Sequence, residues 1–214
     1  MFTGIIEGLC EVKFVTGSAD TGALQLKIEL GRLAEGCKAG DSLSVNGVCL
    51  TVTGLENTVF SFDVGGETLS KSNLGRLRAG LKVNIERSLK ADGRFGGHFV
   101  LGHTDGTATI KRIERKGRFA DMTLAADKRL LDNMIEKGSV AVDGISLTIA
   151  GLDNNSFTVA LIPQTLKGTT LGVAKAGDRV NIETDVIIKT IKKYVQKLLP
   201  AEDLTVEKLK NLGF

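Results

Sequence analysis

Val45–Gly54 reads VNGVCLTVTG, and Val142–Gly151, 97 residues later, reads VDGISLTIAG. Asn46-Gly47 and Asp143-Gly144 are two-residue hairpin turns by composition, because a type I′ turn needs positive φ at both central residues. In the strand that follows, Val48, Leu50 and Val52 share one face, and Cys49, Thr51 and Thr53 share the other. The second copy sets Ile145, Leu147 and Ile149 against Ser146, Thr148 and Ala150. Small barrels fill their interiors with bulky aliphatic side chains, so the first set is predicted to be core. The second set is a strip of small, mostly polar side chains facing outward.

The duplication extends well beyond the hairpin. A shift of 97 aligns Ser42–Glu86 with Ser139–Glu183 without a gap, and 19 of the 45 positions are identical. The starts match at a shift of 98, FTGIIEGLCEV from Phe2 against VLGHTDGTATI from Val100, and Asp41 accounts for the difference. Solenoid repeats have periods of roughly 20–50 residues, so this one describes two whole domains. Domain one is expected at 1–88 and domain two at 98–185, with residues 89–97 as a polar, glycine-bearing linker. The chain holds 26 glycines and two prolines, the glycines spread among short Val/Ile/Leu/Thr runs, which predicts many strands and tight turns.

Composition excludes several classes. A net charge of +3 is too small to imply nucleic acid or an anionic membrane, and no apolar run reaches the length of a membrane-spanning helix. The start MFTGIIEGLC lacks a basic stretch and a signal-peptide core, and Cys10, Cys37 and Cys49 contain no CxxC spacing. A cytoplasmic protein with reduced thiols and no metal site is expected. After Asp185, Ile187, Ile188, Ile191, Tyr194, Val195, Leu198 and Leu199 recur at helical spacing until Pro200, and Thr205 is placed to cap a second short helix. Such a helix over 186–214 either covers a barrel end or joins copies of the chain. Neither repeat needs it, which favours the second.

Thr and Ser on the outside of a barrel need no function. Here, however, the strip recurs in both copies, beside Thr68 and Thr165 in segments that are themselves duplicated. Small side chains leave room for a flat ligand, and hydroxyls and backbone groups can orient it. The copies diverge where Ile5 aligns with His103, Ala39 with Lys137, Cys49 with Ser146, Asp63 with Ala160, and Glu67 with Gln164. On one extended strand His98 and His103 would face opposite ways, a poor metal pair.

MFTG, NGVCLTV, ETLxxxNLG, GGHFVLGHTDG, KGSVAVDGISLT and LIPQTLKGTTLG, in that order, resemble the riboflavin synthase α-chain family from Met1 to about Asp185. The resemblance implies two similar six-stranded antiparallel Greek-key barrels in tandem plus a C-terminal helix, assembled as a homotrimer. It implies a transferase that turns two 6,7-dimethyl-8-ribityllumazine molecules into riboflavin and 5-amino-6-(D-ribitylamino)uracil, with no cofactor. One substrate would sit on the N-terminal barrel of one subunit, the other on the C-terminal barrel of its neighbour. Association with lumazine synthase is a further partner the resemblance leaves open. A non-catalytic lumazine- or flavin-binding protein of the same fold is the alternative. A flavin-reductase barrel is disfavoured because no glycine-rich βαβ unit follows.

Carried over by position, the N-barrel site comprises Phe2, Thr3, Gly4, Ile5, Ile6, Cys49, Leu50, Thr51, Asp63, Val64, Gly65, Gly66, Glu67 and Thr68. The C-barrel site comprises Gly102, His103, Thr104, Lys137, Ser146, Leu147, Thr148, Ile162, Pro163, Gln164 and Thr165. His103 and Ser146 are expected to move protons or activate a nucleophile, with Thr148, Cys49 and Asp185 completing the catalytic set. Gly65-Gly66 departs from the family, many of whose members have a larger apolar residue before the Glu.

Overall fold

The alternation around the two hairpins decides the architecture. Val48, Leu50, Val52, Ile145, Leu147 and Ile149 are all buried, whereas Thr51, Thr53, Thr148 and Ala150 are exposed. The structure, a computed structural model, describes residues 1–18 and 22–198; Leu199, Pro200 and the segment predicted to be capped by Thr205 lie outside the described residues.

The first barrel contains β1 (Gly8–Ser18), β2 (Ala23–Glu29), β3 (Ser42–Val45), β4 (Val48–Glu56), β5 (Val59–Gly65) and β6 (Lys82–Arg87), with α1 (Gly66–Lys71) between β5 and β6. The second contains β7 (Gly106–Lys116), β8 (Phe119–Ala125), β9 (Ser139–Val142), β10 (Ile145–Leu152), β11 (Ser156–Leu161) and β12 (Arg179–Thr184). It also carries α2 (Lys128–Leu131) and α3 (Pro163–Gly168). Both close as antiparallel Greek-key barrels in the same order, β1-β2-β5-β4-β3-β6 and β7-β8-β11-β10-β9-β12. Even the irregularities repeat, since the ladder slips between Val12 and Phe14 in β1 and between Ile110 and Arg112 in β7. Closure removes the exposed sheet edges that would otherwise invite pairing with other chains. Each barrel has its own hydrophobic core, built around Leu26, Phe60, Phe62 and Ile85 in one and Met122, Leu124, Phe157 and Ile182 in the other. The chain then leaves β12 through α4 (Val186–Leu198).

The barrels meet at their hairpin turns. Asn46 and Gly47 have φ of 47° and 79°, and Asp143 and Gly144 have 44° and 79°, the left-handed pairs that the turn requires. The two glycines touch: a Cβ on Gly47 would lie 2.5 Å from the Gly144 nitrogen. Around them runs a symmetric amide network. Asn84 Nδ2 donates to the Asp143 carbonyl (2.9 Å), and Asn181 Nδ2 donates to the Asn46 carbonyl (2.8 Å). Asn46 Oδ1 accepts from the Asn84 N–H, as Asp143 Oδ1 does from the Asn181 N–H, both at 2.7 Å.

Only one half of this seam carries a carboxyl group. Complete burial pushes the Asp143 pKa from 3.8 up to about 7, against the opposing pull of its Asn181 and Asn73 hydrogen bonds. The folded chain therefore holds a proton that the unfolded chain has released between about pH 4 and 7. Stability falls as pH rises through that window, by up to about 1.4 kcal/mol per pH unit, and is flat in this respect above it. Asp143→Asn keeps the accepting oxygen, as Asn46 does naturally, and is expected to flatten the fall in urea-unfolding free energy across that window; an unchanged slope would clear Asp143.

Candidate functional site

Each half begins with an irregular strap, and each strap lies on the other half's barrel. Phe2 pairs with Val100 in an antiparallel bridge, placing the straps side by side. The Gly4 carbonyl accepts from the Ser146 N–H at 2.8 Å, and the Gly102 carbonyl accepts from the Cys49 N–H at 2.9 Å. A Cβ on Gly4 would lie 2.7 Å from Ser146, and one on Gly102 would lie 2.5 Å from Cys49. Straps this close to a strand admit no side chain at those points.

A buried carboxylate anchors each strap. Glu86 accepts from the Thr3 N–H (2.7 Å) and hydroxyl (2.9 Å) and from the Gly4 N–H (2.9 Å). Glu183 accepts from the N–H groups of Leu101 (2.7 Å), Gly102 (2.9 Å) and His103 (3.1 Å). Burial pushes both carboxyl groups above their ordinary range while these hydrogen bonds pull the other way.

The exchange regroups the expected site residues. A cavity of about 210 Å³ on the first barrel brings Cys49, Glu67 and Thr68 together with Gly102, His103 and Thr104 from the second half. A cleft of about 320 Å³ on the second barrel is lined by Lys137, Ser146, Leu147, Thr148, Ile162 and Thr165. Gly4 lies against Ser146 beside that cleft, and Ile6 packs on the second core. The structure thus sets Gly4 and Ile6 against the second barrel and Gly102, His103 and Thr104 against the first, across from the grouping expected of them.

Other residues of the expected set take different parts. Leu50, Val64 and Leu147 turn their side chains into the cores, leaving only backbone to a ligand, and Phe2 is fully buried with Val100 and Ala141. Thr3 is buried on Glu86, whereas Ile5 is exposed. Asp63 accepts from Gln25 Nε2 at 3.1 Å, and exposed Glu67 pairs with Lys71 at 2.8 Å. Thr51, Gly65, Gly66 and Gln164 are exposed, and Pro163 opens α3. Thr104 Oγ1 is buried with no hydrogen-bond partner among the described residues. Asp185 accepts from the Ile187 N–H at 2.8 Å, starting α4.

His98, weighed in the sequence only as a metal ligand, has a different place in the structure. His98 Nδ1 lies 2.7 Å from Ser146 Oγ, so the imidazole that meets the hydroxyl is His98 and not His103. Burial holds the His98 pKa below its ordinary 6.5, with the Asp185 charge pulling the other way. The ring is therefore neutral near pH 7. His98 and His103 do not share a strand, which removes the premise on which they were compared. A neutral imidazole on a hydroxyl, in a cleft, is an arrangement for moving a proton.

A larger hollow, about 500 Å³, opens beside the first barrel and is lined in part by Glu7, Cys37 and Arg87. Its guanidinium is already engaged by Glu7 (2.6 and 2.9 Å) and the Glu35 carbonyl (3.2 Å). The corresponding place on the second barrel is where α4 packs, through Lys189 on Asp105 at 2.8 Å. The hollow lies away from the polar strips of Cys49, Thr51, Ser146 and Thr148.

Residues 3–88 and 101–185 each match the lumazine binding domain family. Riboflavin synthase of Bacillus subtilis is 43% identical over 92% of this chain and 91% of its own. The Schizosaccharomyces pombe riboflavin synthase is 39% identical over 94% and 95%. Among solved structures, LumP complexed with riboflavin superposes with a TM-score of 0.80 at 24% identity, covering 86% of this chain and 99% of that one, a likeness of fold. The chain belongs to the riboflavin synthase family, and its two barrels are lumazine binding domains.

Proposed function

We propose that this member of the riboflavin synthase family converts two molecules of 6,7-dimethyl-8-ribityllumazine into riboflavin and 5-amino-6-(D-ribitylamino)uracil, moving a four-carbon unit from one to the other. The observation that carries the reading is one cavity on each barrel, taking in the repeat-equivalent residues Cys49 and Thr68 in the first and Ser146 and Thr165 in the second, with an imidazole meeting the side chain at Ser146 and not at Cys49 among the described residues. A reaction that consumes one compound twice, once as donor and once as acceptor, needs two seats of one shape and unequal chemistry. The curated relatives are synthases, which favours catalysis over mere binding on the same fold.

In this reading Ser146, with His98 behind it, takes a proton from the acidic C7 methyl or delivers a nucleophile to C7, and Asp185 tunes His98 through its charge. Thr148 and Thr165 orient the ring in that seat. Cys49, Thr51, Thr68 and His103 hold and polarise the partner ring, while Lys137 donates to ring carbonyls and ribityl hydroxyls and Asp63 and Glu67 accept from ribityl hydroxyls. Holding the two rings in register supplies much of the rate. Incubating the purified protein with the lumazine alone tests the reading: riboflavin absorbance should appear, and none under saturating substrate would overturn it.

The seats work in pairs drawn from neighbouring subunits of a homotrimer joined through α4. Ile187, Ile191, Tyr194, Val195 and Leu198 leave about half or more of their surface exposed along that helix, which supports a helix–helix seam. Deleting residues 187–214 is expected to shift the sedimentation mass from trimer to monomer, and an unchanged mass would assign assembly to the barrels. The three free thiols suit a cytoplasmic setting. Co-sedimentation with a lumazine synthase tests that association.

A further inference from the structure

The two barrels differ just ahead of α1 and α3: Ile162 lines the C-barrel cleft, and its counterpart is Gly65, two residues before Glu67 in the N-barrel cavity. Gly65 and Ile162 hold equivalent positions, each directly before a short helix, with nearly the same backbone: φ −80°, ψ 163° against φ −84°, ψ 160°. In the second barrel the Ile162 side chain lines the cleft beside Thr148 and Thr165 and is 53% exposed. In the first barrel a Cβ placed on Gly65 meets nothing within 4 Å. Neither conformation nor space demands glycine there. The neighbouring wall changes too, from Ala150 and Ala160 in the second barrel to Thr53 and Asp63 in the first.

We propose that Gly65 makes the N-barrel seat the weaker of the two, and that this seat sets the substrate concentration at which the enzyme half-saturates. A half-exposed apolar side chain lining a cleft gains when a flat ring covers it, and covering about half of an isoleucine is worth roughly a tenfold change in affinity. The C-barrel seat has this contact and the N-barrel seat lacks it. Turnover requires both seats to be filled with the same molecule, so saturation follows the weaker one. The inference rests on the proposed function, in that both seats take the lumazine.

The test uses 6-methyl-7-oxo-8-ribityllumazine, which has no C7 methyl to deprotonate and so binds without reacting. Equilibrium titration of the full chain should show two dissociation constants about tenfold apart. Gly65→Ile should tighten the weaker by about tenfold, leave the tighter in place, and lower KM for the lumazine itself. Gly65→Ala, which adds one methyl to open space, should move the weaker constant the same way by less. Ile162→Gly should bring the tighter constant down to the weaker. A single constant shared by both seats in the unaltered chain, or a Gly65→Ile shift in the tighter constant alone, overturns the proposal. Two unequal constants without riboflavin formation would sink the catalytic reading, and with it the effect on KM, and leave the affinity difference at Gly65 standing; turnover with equal constants does the reverse.

Discussion

Replacing Ser146 by alanine is expected to lower kcat for riboflavin formation by roughly 10²- to 10⁴-fold, the range over which a positioned proton-transfer group acts. Ser146 is the hydroxyl that meets an imidazole in the lined cleft, and its N–H is fixed by the opposing strap. His98→Asn leaves a polar group beside Ser146 but no base, and should cost a similar factor. His103→Ala acts on the other seat and should reduce turnover with its main effect on KM. Ser139→Ala, one strand away in β9, is the control and should stay within about threefold of the parent. The pH profile is a second readout. Because burial lowers the His98 pKa, turnover should persist below the ordinary histidine range and fall only as the ring protonates. That acid limb should vanish in His98→Asn. Equal losses in Ser146→Ala and Ser139→Ala would refute the assignment.

Gly47→Ala is expected to destabilise the chain by about 2–5 kcal/mol, read as a lower urea midpoint and melting temperature. Two terms contribute. A side chain at φ 79° costs about 1–2 kcal/mol. A Cβ 2.5 Å from the Gly144 nitrogen then forces the barrels apart, at about 1–3 kcal/mol. Gly80→Ala separates them, since Gly80 has φ 88° with nothing within 4 Å of its added Cβ. It should show the conformational cost alone. Equal losses at the two positions would mean that the seam between the hairpins contributes no stability of its own.

Much of this was legible because it is local or periodic. The turn pairs Asn46-Gly47 and Asp143-Gly144 demand one conformation, and alternation in the next strand fixes which side chains enter the core. The strap exchange was not legible. Gly4 meets Ser146 across 142 residues of chain, and a repeat alignment shows that the straps are equivalent without showing on which barrel each one lies. His98 was missed for a related reason. At the shift that aligns the starts its counterpart would precede Met1, so the comparison of halves never weighed it. The one available hint was GGH itself, two glycines that let the chain run close to Thr3 and Ser146 just before the imidazole.

The crossed straps also bear on how such a chain arises. Two separate single-barrel polypeptides, each lending its first residues to the other, would make the same contacts as Gly4 on Ser146 and Gly102 on Cys49. Residues 89–97, the expected linker, would then be the splice that turns a symmetric dimer into one gene product. Once spliced, the halves no longer had to mutate together. Cys49 and Ser146, Gly65 and Ile162, and Asn46 and Asp143 are equivalent positions at which the two halves of one chain can carry different chemistry.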